Sequence, residues 1–246
     1  KYQEVNALAQ DLNTRLATTK IEIAERYHKR GLVFVQQNKP ADANKDFLEA
    51  VRLKPTYAPS HLELARLRYR EGDIAGAKTR LLTIAKDCQP DEVTKTGANL
   101  LGTTIYQNVL GNADYAIKQK KFGTGLQSLS EARSLCTDLQ LGCTPQLEDL
   151  MGQAHTGIFS AKVDTARLLL SKLELEASEI KATEAISYQK SNATYIKDVT
   201  PAIRVQSDAQ IRIYQRILTN ANGFADQGKL REAEAEAQKA LAYQAA

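Results

Sequence analysis

Apolar residues in this chain return every third or fourth position and seldom alternate, which marks one face of an α-helix rather than a strand. The pattern is sharpest over residues 23–55, IAERYHKRGLVFVQQNKPADANKDFLEAVRLKP. A first amphipathic helix there carries Tyr27, Gly31 and Phe34, and a second carries Ala43, Phe47, Ala50 and Leu53 before Pro55 stops it. Asn38-Lys39-Pro40 separates the two, and Pro40 suits the first turn of a helix, where no N–H is missed. Small Gly31 and Ala43 predict a close crossing of the two backbones.

The arrangement recurs down the chain. Ahead of it, residues 1–22 place Val5, Leu8, Leu12 and Leu16 at helical spacing. This predicts one helix that caps the open end of a stack; a coiled-coil partner helix is the alternative, with few heptads to support it. At an offset of ~34 residues, Tyr27 maps to His61, Gly31 to Ala65, Ala43 to Ala77, Phe47 to Leu81 and Ala50 to Ile84. Glu71-Gly72-Asp73 is the turn of this second pair and Gln89-Pro90 its stop. Residues 91–119 predict one extended helix, with a short additional helix as the alternative. Gly125, Leu129 and Ala132 then repeat the spacing of Ala43, Phe47 and Ala50. A long apolar run from Pro145 leads to Ser178, Ala182 and Ala185, spaced alike. Thr200-Pro201 reads as an N-cap followed by Pro in the first turn. Ala221, Phe224, Gly228, Ala233, Ala237 and Ala240 restore the pattern of Gly31 to Ala50.

Together these residues resemble the tetratricopeptide repeat family, whose ~34-residue unit is a helix–turn–helix with small residues where the helices cross. The resemblance implies an all-α fold: a right-handed α–α superhelix, a solenoid of about five helix pairs with a leading capping helix. In those terms residues 1–22 are the cap and 23–246 a single solenoid. Its repeats are clearest over 23–57, 58–90 and 214–246, and degenerate over 91–213. The resemblance also implies a scaffold that binds other proteins in a concave groove lined by the first helix of each pair. Carried onto this chain, the inner-face positions are His28, Leu32 and Val35, then Leu62, Arg66, Tyr69 and Arg70, then Leu110, Asp114, Ile117 and Lys118. We single out Arg66, Tyr69, Arg70 and Lys118, with His28 and Asp114 beside them, as the contact surface. Guanidinium groups clamp carboxylates and Tyr adds apolar area with a polar tip, so an acidic or C-terminal peptide is the expected partner. The family's clamp for chaperone C-termini uses Lys and Asn on the first helix. His28 and Leu32 stand at those positions here, and Glu63 replaces a further Asn, so that ligand is not expected.

Composition narrows the classes further. Of 246 residues, 43% are hydrophobic and 25% charged, which is ordinary for a folded protein. Aromatic residues are only 6% and Trp is absent, leaving Ala and Leu to fill close helix contacts. The net charge of +4 comes from 33 basic and 29 acidic residues spread along the chain, so no nucleic-acid partner is expected. No apolar run approaches the ~20 residues of a membrane span. His28, His61 and His155 stand singly, and no HExxH, phosphate-cradling Gly-rich loop or nucleophile motif occurs. Neither catalysis, cofactor nor metal is therefore expected. Cys136 and Cys143 fit no zinc spacing; they read as small packed residues or as a disulfide in an oxidising compartment, with Cys88 a packed thiol. Asn192-Ala193-Thr194 is a glycosylation sequon of a kind common by chance.

The favoured function is a non-catalytic scaffold for a protein or peptide partner. The alternative is a sensor or assembly module of a larger bacterial cell-envelope or signalling protein. A chain that starts at Lys1 without Met is expected to be a piece of a longer or processed protein, with the periplasm or envelope favoured over the cytoplasm. The oligomeric state is left open.

Overall fold

The computed structural model describes residues 2–245, and among them every regular element is a helix. The order is α1 (Tyr2–Gln36), α2 (Pro40–Leu53), α3 (Ala58–Arg70), α4 (Ile74–Asp87), α5 (Glu92–Lys118), α6 (Phe122–Asp138), α7 (Pro145–Ser171), α8 (Leu175–Ser191), α9 (Thr200–Asp226) and α10 (Leu230–Ala245). No described helix is long and apolar enough to cross a membrane. The extended helix expected over 91–119 is α5, a single element.

Successive helices form hairpins that reverse at the backbone in one way. Asn38, Gly72, Lys120, Leu173 and Gly228 each hold a positive φ between the paired helices. At every one, the next residue donates its N–H to a carbonyl five residues back: Lys39 to Phe34 at 2.9 Å, Asp73 to Arg68 at 2.9 Å, Lys121 to Ala116 at 2.9 Å, Glu174 to Leu169 at 3.0 Å and Lys229 to Phe224 at 2.9 Å. This left-handed stop satisfies carbonyls that the helix end would leave open. Five residues after each positive φ the returning helix carries a small residue, Ala43, Ala77, Gly125, Ser178 and Ala233, although on α8 Leu175 is buried ahead of it. The first four small residues are buried and Ala233 is half-buried. One turn of the backbone thus sets the phase of the returning helix.

Small residues sit where partners press closest. A Cβ on Gly31 would lie 2.6 Å from the Phe47 ring, and one on Gly125 would lie 2.7 Å from Ile117 Cγ1. The Ser178 hydroxyl, fully buried, donates to the Ala166 carbonyl at 2.8 Å and so ties α8 to α7 without an unsatisfied polar group. On α10, Ala237 stands exposed where Phe47 is buried on α2, so the last pair packs more thinly than the first.

The chain divides into two compact units. One comprises residues up to Asn112 together with Ser128–Leu147, and the other Ala113–Gln127 with Glu148 onward. In the first, Ala43, Phe47, Leu64 and Leu67 form a core against which Leu32, Phe34, Val35, Leu48 and Val51 pack. Burying Phe47 alone contributes roughly 2–3 kcal/mol. Beside it the nearly buried Asp46 accepts from both Nε and Nη2 of Arg30 at 2.6 Å, the two-pronged pairing a buried carboxylate needs. The loop after α6 is held twice. Cys136 and Cys143 are joined by a disulfide with Cα atoms 5.2 Å apart, and the Thr144 N–H donates to the buried Tyr106 hydroxyl at 3.0 Å. In the second unit Phe159, Val163, Ala166, Ala182, Ala185, Ile196, Ala202 and Val205 form the core.

The cap expected over 1–22 takes another form. No Gly or Pro interrupts the chain between Ile21 and Arg30, so α1 runs straight through the expected boundary. Val5, Leu8, Leu12 and Leu16 are 63%, 60%, 55% and 54% exposed, and among the described residues the first buried one is Ala24. The described part of this segment covers no neighbouring helix.

Candidate functional site

The residues expected to line a groove separate into three groups. His28, Leu32 and Val35 face their own hairpin and the start of α3. His28 Nδ1 lies 3.0 Å from the Ser60 hydroxyl, with the rings of Phe47 and Tyr57 each centred 5.5 Å away. Burial lowers the His28 pKa below the ordinary imidazole value. Leu62, Leu110 and Ile117 are likewise buried. Leu62 is covered by Gly97 of α5, and on α5 itself the inner-face register drifts along the longer helix, so these residues pack. Asp114 and Lys118 pair with each other at 2.6 Å, one turn apart on α5 in the second unit, so neither is a lone charge.

Arg66, Tyr69 and Arg70 remain, and α5 meets the first two. Gly97 of α5 lies against Leu62 and Arg66: a Cβ there would be 2.8 Å from Leu62 Cδ2 and 3.3 Å from Arg66 Nη2. The Arg66 guanidinium also donates to Glu63 Oε1 at 2.6 Å, which holds it along α3. Lower on the same side, Asn108 Nδ2 donates to the Tyr69 hydroxyl. Arg70 ends α3 in the open.

Below that contact opens a cavity of about 410 Å³ lined by Tyr69, Gly72, Ile74, Asn108, Val109, Asn112, Ser128 and Glu131. Gly72 holds a φ of 81° there, which a side chain would strain, and its open backbone forms the rim. Each Asn offers two donors and an acceptor, Tyr69 and Ser128 offer hydroxyls, and Val109 and Ile74 give an apolar floor. Such a set fits the alternating N–H and C=O groups of an extended chain. Sequence reasoning found Tyr69 and missed Asn108 and Asn112. Their signal was present: two amides one turn apart on one face of α5. Larger grooves exist, among them one of about 780 Å³ along α8 in the second unit. Its charged groups are already engaged: Lys162 reaches Glu184 at 3.7 Å, and Glu179 accepts from Gln210 and Tyr243.

The other two histidines are structural partners too. His61, 4% exposed, has Nε2 2.8 Å from the Pro55 carbonyl and so donates to it, and burial is the main cause that lowers its pKa. His155 lies in the second unit, stacked on Tyr195 at 4.8 Å with Nδ1 2.8 Å from the Tyr188 hydroxyl. Cys88 is buried at the end of α4, and burial raises its thiol pKa, which disfavours the reactive thiolate.

A comparison with models of known protein families finds no match. A comparison with curated proteins finds none either.

Proposed function

We propose that the chain is a non-catalytic scaffold of tetratricopeptide type that binds an extended peptide or protein segment over the α3–α5 groove. The observation that carries the reading is the convergence of Tyr69, Asn108 and Asn112 on one cavity beside the open end of α3. Side-chain amides and a phenol recognise backbone groups without needing a particular sequence, while Val109 and Ile74 take a side chain. Arg70, exposed next to Tyr69 in the chain, favours an acidic residue in that segment. The shared turn and the small residue after it support reading the five hairpins as successive units of one solenoid. The Cys136–Cys143 disulfide favours a specific setting, a binding module of a larger envelope or signalling protein in an oxidising compartment.

A displayed random-peptide library selected on the chain tests this directly. Selected peptides should bind an Asn108→Ala/Asn112→Ala variant about tenfold more weakly or worse, with unchanged far-UV circular dichroism. An Arg70→Glu variant should lose acidic peptides preferentially. Failure to select any peptide, or equal binding by the double variant, sinks the groove assignment.

A further inference from the structure

The outer part of α1 carries an apolar row that no described residue covers. Val5, Leu8, Leu12, Leu16 and Ile23 are between 37% and 63% exposed. With Thr19 they follow spacings of three, four, four, three and four, so the row repeats after eleven residues: Val5 with Leu16, Leu8 with Thr19, Leu12 with Ile23. Eleven residues are close to three whole turns, and the row stays on one side of the helix for its length.

That row is not the outward continuation of the face that α2 covers. Ala24 and Gly31 mark the face of α1 that α2 covers, and the apolar row lies about 110° around the helix from it. Continued outward, the α2-covered face carries Asn6, Asn13 and Lys20 with Ala17 between them. A helix laid along that face would meet polar groups, whereas one laid along the row would meet Leu and Val. The surface therefore suits a partner helix.

We propose that this partner is a second copy of the chain, with the two α1 helices paired antiparallel about a two-fold axis near Thr14. About such an axis Leu12 meets Leu16 of the other copy, Val5 meets Ile23, and Leu8 meets the stretch Thr19–Lys20. Charge sets the direction. Asp11 and Arg15 flank the same edge of the row, and antiparallel pairing brings each against its opposite on the other copy at the centre of the pair, twice over, against Glu4 meeting Glu22 of the other copy towards its ends. Parallel pairing would set Arg15 against Lys20 on the opposite edge, a repulsion made twice. Asp11 and Arg15 are 60% and 75% exposed and lie 3.7 Å apart, free to exchange one partner for the other. The surface shares no residue with the α3–α5 groove, and the two proposals stand or fall separately.

Sedimentation equilibrium over a concentration series tests it on the whole chain. The expected result is a monomer–dimer equilibrium that Leu12→Glu/Leu16→Glu abolishes without loss of helicity, since both side chains are already in solvent. Arg15→Asp should weaken the dimer about fivefold, and Asp11→Arg/Arg15→Asp should restore it. A chain monomeric at every concentration overturns the proposal. So does tighter association of Arg15→Asp, which would report parallel helices, or a dimer unmoved by the Leu12→Glu/Leu16→Glu change.

Discussion

At the scale of single residues, glycine acts with opposite sign at two helix positions. Alanine is a better helix former than glycine by about 1 kcal/mol. Gly111 on α5 has nothing within 4 Å of where a Cβ would stand, so Gly111→Ala should keep that gain and raise stability by about 1 kcal/mol. At Gly31 the same Cβ would fall 2.6 Å and 2.8 Å from two Phe47 ring carbons. Phe47 is fully buried and cannot swing aside, so overpacking of roughly 1–3 kcal/mol outweighs the propensity gain. Urea denaturation of the two variants should move the midpoint in opposite directions. Equal shifts would mean that the α1–α2 crossing is looser than its geometry.

At the scale of elements, the hairpin turn decides more than helix propensity does. Leu173 holds a φ of 64°, a conformation that costs a residue with a Cβ about 1 kcal/mol. Its side chain is 67% exposed and contributes little in return. Leu173→Gly should therefore stabilise the α7–α8 hairpin by about 1 kcal/mol, read as a raised melting temperature; a lowered one would show that the exposed Leu173 packs. The turns were legible in the sequence through the small residues just beyond them: Ala43, Ala77, Gly125 and Ser178 stand at one distance from their turn residues even where no Gly marks the turn. The outer edge of the first repeat was not legible, because no breaker separates residues 1–22 from Ile23 and a helix crosses such a boundary unmarked. The groove was half legible. Tyr69 is reached through the ~34-residue register, but α5 is longer than a repeat helix. Carrying the register along it selected Leu110 and Ile117, which are buried, in place of Asn108 and Asn112, which line the cavity.

At the scale of the whole molecule, pH should act on the unit that contains α1 to α4 through its two histidines. His28 and His61 both lie there, and burial lowers both imidazoles below their ordinary value of 6.5. Well above that value they are neutral folded or unfolded, and these two groups do not make stability depend on pH. As pH falls below about 6.5 the unfolded chain takes the proton before the folded one, so stability declines until the depressed folded values are reached. Around His61 the Arg80 guanidinium opposes a second positive charge and Asp87 favours it. The carboxylates act in a separate window. Asp138 beside Lys78, and Glu184 beside Lys181, titrate below their usual values, so their contribution is present at neutral pH and is lost only below about pH 4. Melting temperature against pH should therefore stay level from about pH 8 to 6.5, fall through the histidine window, and fall again in acid. A His28→Gln/His61→Gln variant will be less stable throughout, because Ser60 and Pro55 lose their partners, yet its curve should be flatter between about pH 6.5 and 5. The slope separates the two effects: lost packing lowers the curve at every pH, and only titration of the imidazoles bends it. A wild-type curve as flat as the variant's would place the acid sensitivity elsewhere in the chain.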